Sequence, residues 1–206
     1  IFRALALRHM ELPVGDFIND ALSTDVPEAS RDLLRSNVTD EENHDLALGY
    51  IASAYGVDGK AESEALKLKA AWEAHPDHTI TKAMVAERAI FFVLLPFFRF
   101  NGDAGMRTVS ADISRDEQIH VATNSLVHTE LGYNISPSLD KLRKATINWV
   151  MQPLGKSDNK YLDKQFWLAS SDRLMYEGKA PELADTKAGR MPAFFEHSNV
   201  NLPQYA

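Results

Sequence analysis

Residues 113–120 of this chain read Ile-Ser-Arg-Asp-Glu-Gln-Ile-His, and residues 40–44 read Asp-Glu-Glu-Asn-His. Each stretch contains one Glu-x-x-His motif, Glu41 with His44 and Glu117 with His120. In an α-helix, residues three apart lie on one face, so each motif directs a carboxylate and an imidazole to the same point. Ligands of mixed oxygen and nitrogen type suit iron or manganese. The two motifs therefore predict a metal site between two helices.

Two further glutamates, Glu11 and Glu87, each precede the glutamate of one motif by the same 30 residues. Midway between the partners, residues 23–27 and 101–105 have turn compositions. Two helical hairpins would then bring each of these glutamates level with the glutamate of its own motif, so that four glutamates and two histidines converge inside the bundle. We therefore expect an all-α, ferritin-like four-helix bundle around a di-metal carboxylate centre. The predicted metal ligands are Glu11, Glu41, His44, Glu87, Glu117 and His120.

The choice of ligands has alternatives. His9 and Asp16 are rivals to Glu11 in the first helix, but Asp16 falls five residues off the hairpin symmetry. The glutamates of the two motifs could also be solvated helix positions. Against this, Glu87 lies in the apolar run 84–95, where a carboxylate must be paired, bind a metal or stay protonated.

Composition excludes several classes of protein. The 206 residues suffice for one domain, and 45% hydrophobic and 25% charged residues are ordinary for a globular protein. A formal charge of −7 argues against a nucleic-acid surface. The absence of cysteine excludes disulfides, thiolate metal sites and iron–sulfur clusters. The longest apolar run, residues 89–98, is too short to span a membrane.

The hydrophobic pattern predicts helices along most of the chain. The first bundle helix covers residues 1–22 with a kink at Pro13, and the second runs from a cap at Thr24 or Asp25 to Tyr55. The remaining helices are predicted from Thr79 or Thr81 to Phe100, and over residues 61–74, 106–131, 137–150 and 161–176. We expect Phe91 and Leu95 to follow Glu87 on its face as an apolar wall. Residues 1–180 are interpreted as the helical di-metal domain and residues 181–206 as an extended C-terminal tail.

The motifs resemble a known family. The string Arg115-Asp116-Glu117-x-x-His120, together with residues 87–92, resembles the third and fourth ligand helices of the small, radical-generating subunit of class I ribonucleotide reductase. The resemblance covers roughly residues 11–124. It implies that the six ligands hold two ions of manganese, iron or both. It also implies that Asp116 hydrogen-bonds a ligand histidine, His44, and fixes its tautomer.

The resemblance carries further expectations about activity and partners. The chain would be an oxidoreductase subunit whose centre, once oxidised, supplies a radical equivalent to a large (alpha) subunit that reduces ribonucleotides to deoxyribonucleotides. The subunit would be a homodimer in the cytoplasm, or in the host cytoplasm if the source is a virus, with no membrane and no nucleic-acid partner. Tyr205 in the tail is a candidate for relaying the radical.

One position departs from the family pattern. Many members carry a radical-storing Tyr four residues after the first ligand histidine, where this chain has Leu48, and Tyr50 should project to the opposite side. This favours the subgroups that keep the oxidising equivalent on the metals, usually with manganese. The short separation of Glu41 from Glu87 suggests a compact, viral type of member. The alternative function is a ferritin-like di-metal oxygenase that oxidises a small organic substrate at the same six ligands.

Overall fold

The computed structural model describes residues 1–24 and 26–184, and within these ranges all regular structure is helical. Four long helical segments pack together as a ferritin-like bundle, and shorter helices pack around it. The all-α fold predicted from the sequence is confirmed. Tyr205 and most of the predicted tail lie outside the described residues.

The first bundle helix is interrupted just before a predicted ligand. It consists of α1 (Phe2–Ala6), a 3₁₀ turn (Leu7–Met10) and α2 (Glu11–Leu22). Pro13 explains the interruption, because it has no N–H to donate to the carbonyl of His9 and its ring would clash with that carbonyl. The predicted kink is therefore a tightened turn ahead of the proline.

The second bundle helix, α3, spans Glu28–Tyr55 and ends where predicted, because Gly56 adopts a positive φ of 82°. The predicted cap at Thr24 is wrong. The hydroxyl of Thr24 donates instead to the carbonyl of Ala21 and so closes α2. Pro27 precedes α3 with extended geometry, and no side chain of the described residues caps this helix. Asp25 lies outside the described residues.

The third bundle helix contains a turn that periodicity does not reveal. It runs through α5 (Thr79–Ala86), a π turn (Glu87–Phe91) and α6 (Phe92–Asn101). The start at Thr79 agrees with the prediction, although the cap is the ring Nδ1 of His78, which accepts from the N–H of Ile80.

The remaining helices lie close to their predicted bounds. They are α4 (Gly59–Glu73), the fourth bundle helix α7 (Ala104–Glu130), α8 (Pro137–Met151), a 3₁₀ turn (Lys160–Leu162), α9 (Lys164–Glu177) and α10 (Pro181–Ala184). Because α10 is helical and its Leu183 is buried, the extended tail does not begin at residue 181. Among the helices of residues 1–24 and 26–184, none combines the length and apolar character that crossing a membrane requires.

The π turn is fastened to α9 by two hydrogen bonds. Ser171 donates its hydroxyl to the carbonyl of Ala89 at 2.7 Å, and Arg88 Nε donates to the carbonyl of Leu174 at 2.8 Å. Arg143 on α8 in turn donates to the Ser171 hydroxyl. The helices outside the bundle therefore hold the turn on which Glu87 lies.

Candidate metal centre

The structure brings the six predicted ligands together inside the bundle, each at most 3% exposed. Glu11 is the first residue of α2, and Glu87 is the first residue of the π turn. Both single glutamates therefore lie where the helix departs from regular α geometry. The two Glu-x-x-His motifs come from α3 and α7, which face each other.

The ligand atoms form two groups. One oxygen or nitrogen atom from each of Glu11, Glu41, His44 and Glu117 lies within 4.8 Å of the others, and the same holds for Glu41, Glu87 and His120. Glu41 belongs to both groups, since its Oε1 is 3.2 Å from Nδ1 of His120 and its Oε2 is 3.8 Å from Nδ1 of His44. Oε1 of Glu117 is 3.3 Å from Nδ1 of His44 and 3.7 Å from Nδ1 of His120. Glu41 and Glu117 therefore lie between the imidazoles.

The two remaining carboxylates lie at opposite ends of this arrangement. Glu11 Oε2 is 3.9 Å from His44 Nδ1, and Glu87 Oε1 is 3.9 Å from His120 Nδ1. The ring centroids of the two histidines are 5.8 Å apart. Each imidazole thus has one carboxylate of its own and shares the two central ones.

Several of these atoms have no hydrogen-bond partner among the described residues, although they are buried. They are Glu11 Oε2, Glu41 Oε2, both carboxylate oxygens of Glu117, and Nδ1 of His44 and His120. Buried polar atoms are normally paired, so a concentration of unpaired ones requires an explanation. A cation bound within either group would pair with the unpartnered atoms of that group. The donor set therefore fits a metal ion, and this group can hold one.

The outer nitrogen of each histidine is hydrogen-bonded to an aspartate. His44 Nε2 lies 3.2 Å from Asp116 Oδ2, which is the contact expected of Asp116, and His120 Nε2 lies 3.0 Å from Asp40 Oδ2. An aspartate that accepts a hydrogen bond from Nε2–H leaves Nδ1 available to bind a metal and fixes the orientation of the ring. The pairs are crossed, because the aspartate of each motif contacts the histidine of the other.

Asp40 was missed by the sequence reasoning, although a signal was present. Asp40 precedes Glu41 just as Asp116 precedes Glu117, so both motifs read Asp-Glu-x-x-His. The two aspartates line a surface cavity of about 220 Å³ between α3 and α7. The buried imidazoles are therefore connected to the surface through their aspartates.

Two asparagines, which the sequence reasoning also missed, surround Glu87. Asn37 Nδ2 donates to Glu41 Oε1 at 2.8 Å and to Glu87 Oε1 at 3.3 Å. Asn124 Nδ2 donates to Asn37 Oδ1 at 3.1 Å and makes a short hydrogen bond to Glu87 Oε2. Both oxygens of Glu87 therefore accept amide hydrogen bonds.

The rival ligands lie elsewhere. His9 Nε2 is 2.6 Å from Glu62 Oε2, and that carboxylate also pairs with Arg8. Asp16 is exposed. Neither residue belongs to the ligand groups, whereas Glu11 does.

The aromatic and apolar neighbours are arranged as follows. Tyr50 is 70% exposed and faces away from the centre as expected, while Leu48 is buried. Phe91 and Leu95 are buried too, but the face on which they lie does not follow from a 3.6-residue period. A π turn contains more residues per turn than an α-helix, so the register changes between Glu87 and α6.

Without a metal, the cluster retains protons. Burial, and then the charge of neighbouring carboxylates, raises the pKa of Glu11 and of Glu87 well above the usual range. Burial acts in the same direction on Glu41, but the adjacent imidazoles of His120 and His44 lower its pKa to about 2. Burial alone would lower the pKa of each histidine, yet the central carboxylates raise the pKa of His44 to about 12 and that of His120 to about 11. The protons on these carboxyls and imidazoles occupy the atoms that would otherwise bind a metal cation.

Comparisons with models of protein families, with curated proteins and with solved structures found no match to this chain. The function is therefore inferred from the residues of the centre themselves.

Proposed function

We propose that the chain binds two metal ions, manganese or iron, in one dinuclear centre. Glu11 and His44 would hold one ion, Glu87 and His120 would hold the other, and the glutamates at positions 41 and 117 would contribute to both. The observation that carries this proposal is a set of buried oxygen and nitrogen atoms that lack hydrogen-bond partners within residues 1–24 and 26–184 and lie in two adjacent groups of potential ligands. Charge supports it as well, because four carboxylates with two neutral imidazoles balance two divalent cations.

The chain's own residues suit a centre that must be kept dry and connected to the surface. The six ligands are almost completely buried, which excludes bulk water from the metals. His44 is hydrogen-bonded to Asp116, whose side chain is 47% exposed. This pair offers a short path by which an oxidising equivalent and a proton can move between the buried centre and a partner docked on the surface.

On this basis we propose that the protein is an oxidoreductase, the small subunit of a class I ribonucleotide reductase. A bound pair of redox-active ions would supply oxidant activation and storage of the oxidising equivalent. Leu48 lies buried where a radical Tyr would be required, and Tyr50 is at the surface, so the metals themselves are the proposed store and manganese is favoured. By the same resemblance, the proposed partners are a large subunit and a second copy of this chain, in the cytoplasm.

The test combines metal counting with reconstitution. Metal-free protein is loaded with Mn(II), Fe(II) or both and exposed to oxygen, and its metals are counted per chain. It is then assayed for ribonucleotide reduction with the large subunit encoded in the same genome. Two ions per chain and deoxyribonucleotide formation are expected. If two ions bind and are oxidised but no ribonucleotide is reduced, the oxygenase replaces the reductase as the proposed function. Fewer than two bound ions per chain would reject the dinuclear centre.

A further inference from the structure

The two Glu-x-x-His motifs and their surroundings are approximately symmetric in the sequence. At two pairs of corresponding positions, however, one motif has an asparagine and the other has an apolar residue. Four residues before each central glutamate lie Asn37 on α3 and Ile113 on α7. Four residues after each histidine lie Leu48 on α3 and Asn124 on α7. All four side chains are buried. We refer to Glu11 with His44 as the Glu11 half, and to Glu87 with His120 as the Glu87 half.

Both asparagines donate hydrogen bonds to Glu87 in the Glu87 half. Asn124 donates to Glu87 and to the oxygen of Asn37, and Asn37 donates to Glu41 and Glu87. In this orientation the Asn124 amide nitrogen contacts two acceptor oxygens, while its Oδ1 is buried without a hydrogen-bond partner among the described residues. Two carboxylates are therefore held in place before any metal arrives.

The Glu11 half lacks this support. The corresponding positions carry the apolar side chains of Leu48 and Ile113, which cannot donate a hydrogen bond. Glu11 Oε2 has no hydrogen-bond partner among the described residues. Without an amide donor, the Glu11 carboxylate loses more side-chain freedom when a metal binds, and this loss opposes binding.

Amide donors have two opposed effects on a carboxylate ligand. They withdraw charge from the oxygens, which weakens metal binding, and they fix the carboxylate, which strengthens it. Removal of hydrogen-bonding partners behind metal ligands typically costs 10–100-fold in affinity, so fixation is the larger effect.

We infer that the asparagine pair Asn37–Asn124 makes the Glu87 half the first to bind metal, so that the two positions of the centre fill in order. This inference rests on the proposed dinuclear centre. It adds that the positions are unequal, and it identifies the two residues responsible.

The test is a titration of the metal-free, full-length chain with Mn(II) alone, without oxygen, in which unbound Mn(II) is followed by electron paramagnetic resonance. The wild type should bind one ion at least about tenfold more tightly than the second. Glu11→Gln should retain the tight ion, and Glu87→Gln should lose it. These two isosteric substitutions form a matched pair that identifies which half fills first.

A second set of variants tests the asparagines. Asn124→Leu should weaken the tight ion by about 10–100-fold and leave the weaker ion nearly unchanged. Leu48→Ala is the matched control, because it damages packing at the corresponding position of the other half and should leave the tight ion unaffected. Circular dichroism establishes folding, and Asn37→Ala, which removes part of the same network, replaces Asn124→Leu if that variant does not fold.

The outcomes separate this inference from the function proposed above. Two ions of equal affinity, loss of the tight ion in Glu11→Gln, or an unchanged tight ion in the asparagine variant would each overturn the order of filling while the dinuclear centre stands. A wild-type chain that binds no Mn(II) overturns both proposals together.

Discussion

Metal binding should become much tighter as pH rises, because the metal-free cluster holds protons that the ions must displace. The pKa of His44 is about 12 and that of His120 about 11 in the folded chain, against about 6.5 for an ordinary histidine. A histidine whose pKa is raised in this way stabilises the metal-free fold fully below pH 6.5, and the contribution is lost as pH rises toward the folded value. At pH 7 both imidazoles are therefore protonated, and each must lose a proton before Nδ1 can bind a metal.

The steepness of the pH dependence follows from the number of protons that each metal ion displaces. If two ions displace at least the two imidazole protons, the affinity rises by about tenfold per ion for each pH unit, or about 100-fold per ion from pH 6 to pH 8. An imidazole of ordinary pKa would give only about a fourfold change over the same interval. The raised pKa values of Glu11 and Glu87 act in the same direction, because these carboxyls also give up protons to bind a metal.

Isothermal titration calorimetry with Mn(II) measures this release directly. Titrations at pH 7 in two buffers that differ in ionisation enthalpy give the number of protons released, which should be two or more for the full pair of ions. A count close to zero, together with a change of only a few-fold in affinity between pH 6 and pH 8, would refute the protonated cluster. The rise in melting temperature on adding Mn(II) should also grow with pH.

Four other substitutions or deletions give distinct expectations. Glu87→Ala should remove at least one metal and all oxidising activity, because this buried carboxylate has no substitute, and full occupancy by elemental analysis would contradict its role as a ligand. Asp116→Ala should weaken metal binding by about tenfold, the lower end of such effects, since water can reach its half-exposed position. Asp112→Ala on the same helix, with a similarly exposed side chain, is its matched control, and equal losses in the two variants would argue against a specific role. Tyr50→Phe should leave the metals and the oxidised centre unchanged, because the ring is exposed and faces away from the centre. Loss of the oxidised-state spectrum in that variant would mean that Tyr50 takes part in storing the oxidising equivalent. Deletion of residues 191–206 should abolish binding to the large subunit, as measured by analytical ultracentrifugation, with metals retained; intact association would remove the tail from the interface.

The sequence was sufficient for the bundle and for the positions of its glutamates and histidines, because both follow from periodicity along single helices. Glu41 and His44 share a helix face at a spacing of three residues, whatever the surroundings. The equal separations of Glu11 and Glu87 from their partners add the hairpin geometry. These inferences need no knowledge of how one helix rotates against the next.

The contacts that the sequence did not reveal depend on that rotation. Asp40 contacts His120 across the bundle, and Asn124 meets Asn37 from the opposite helix. Spacing within one helix cannot show which side chain of another helix will be adjacent. The π turn at Glu87 was also hidden, because Ser171 and Arg88, which fasten it to α9, act over distances of more than 80 residues in the chain.

Local competition explains the errors at helix ends. Thr24 has the composition of a cap for α3, but its hydroxyl is used by the preceding helix at the carbonyl of Ala21. His78, which is not among the preferred capping residues, caps α5 through its ring nitrogen.

The most direct measurement is anomalous X-ray scattering at the manganese and iron edges, from crystals of protein loaded with both metals. We expect two peaks inside the bundle, one beside Glu11 and His44 and the other beside Glu87 and His120, with manganese in at least one of them. A single peak, or peaks only at the protein surface, would contradict the dinuclear centre. Iron alone in both positions would leave Leu48 unexplained and favour an oxygenase.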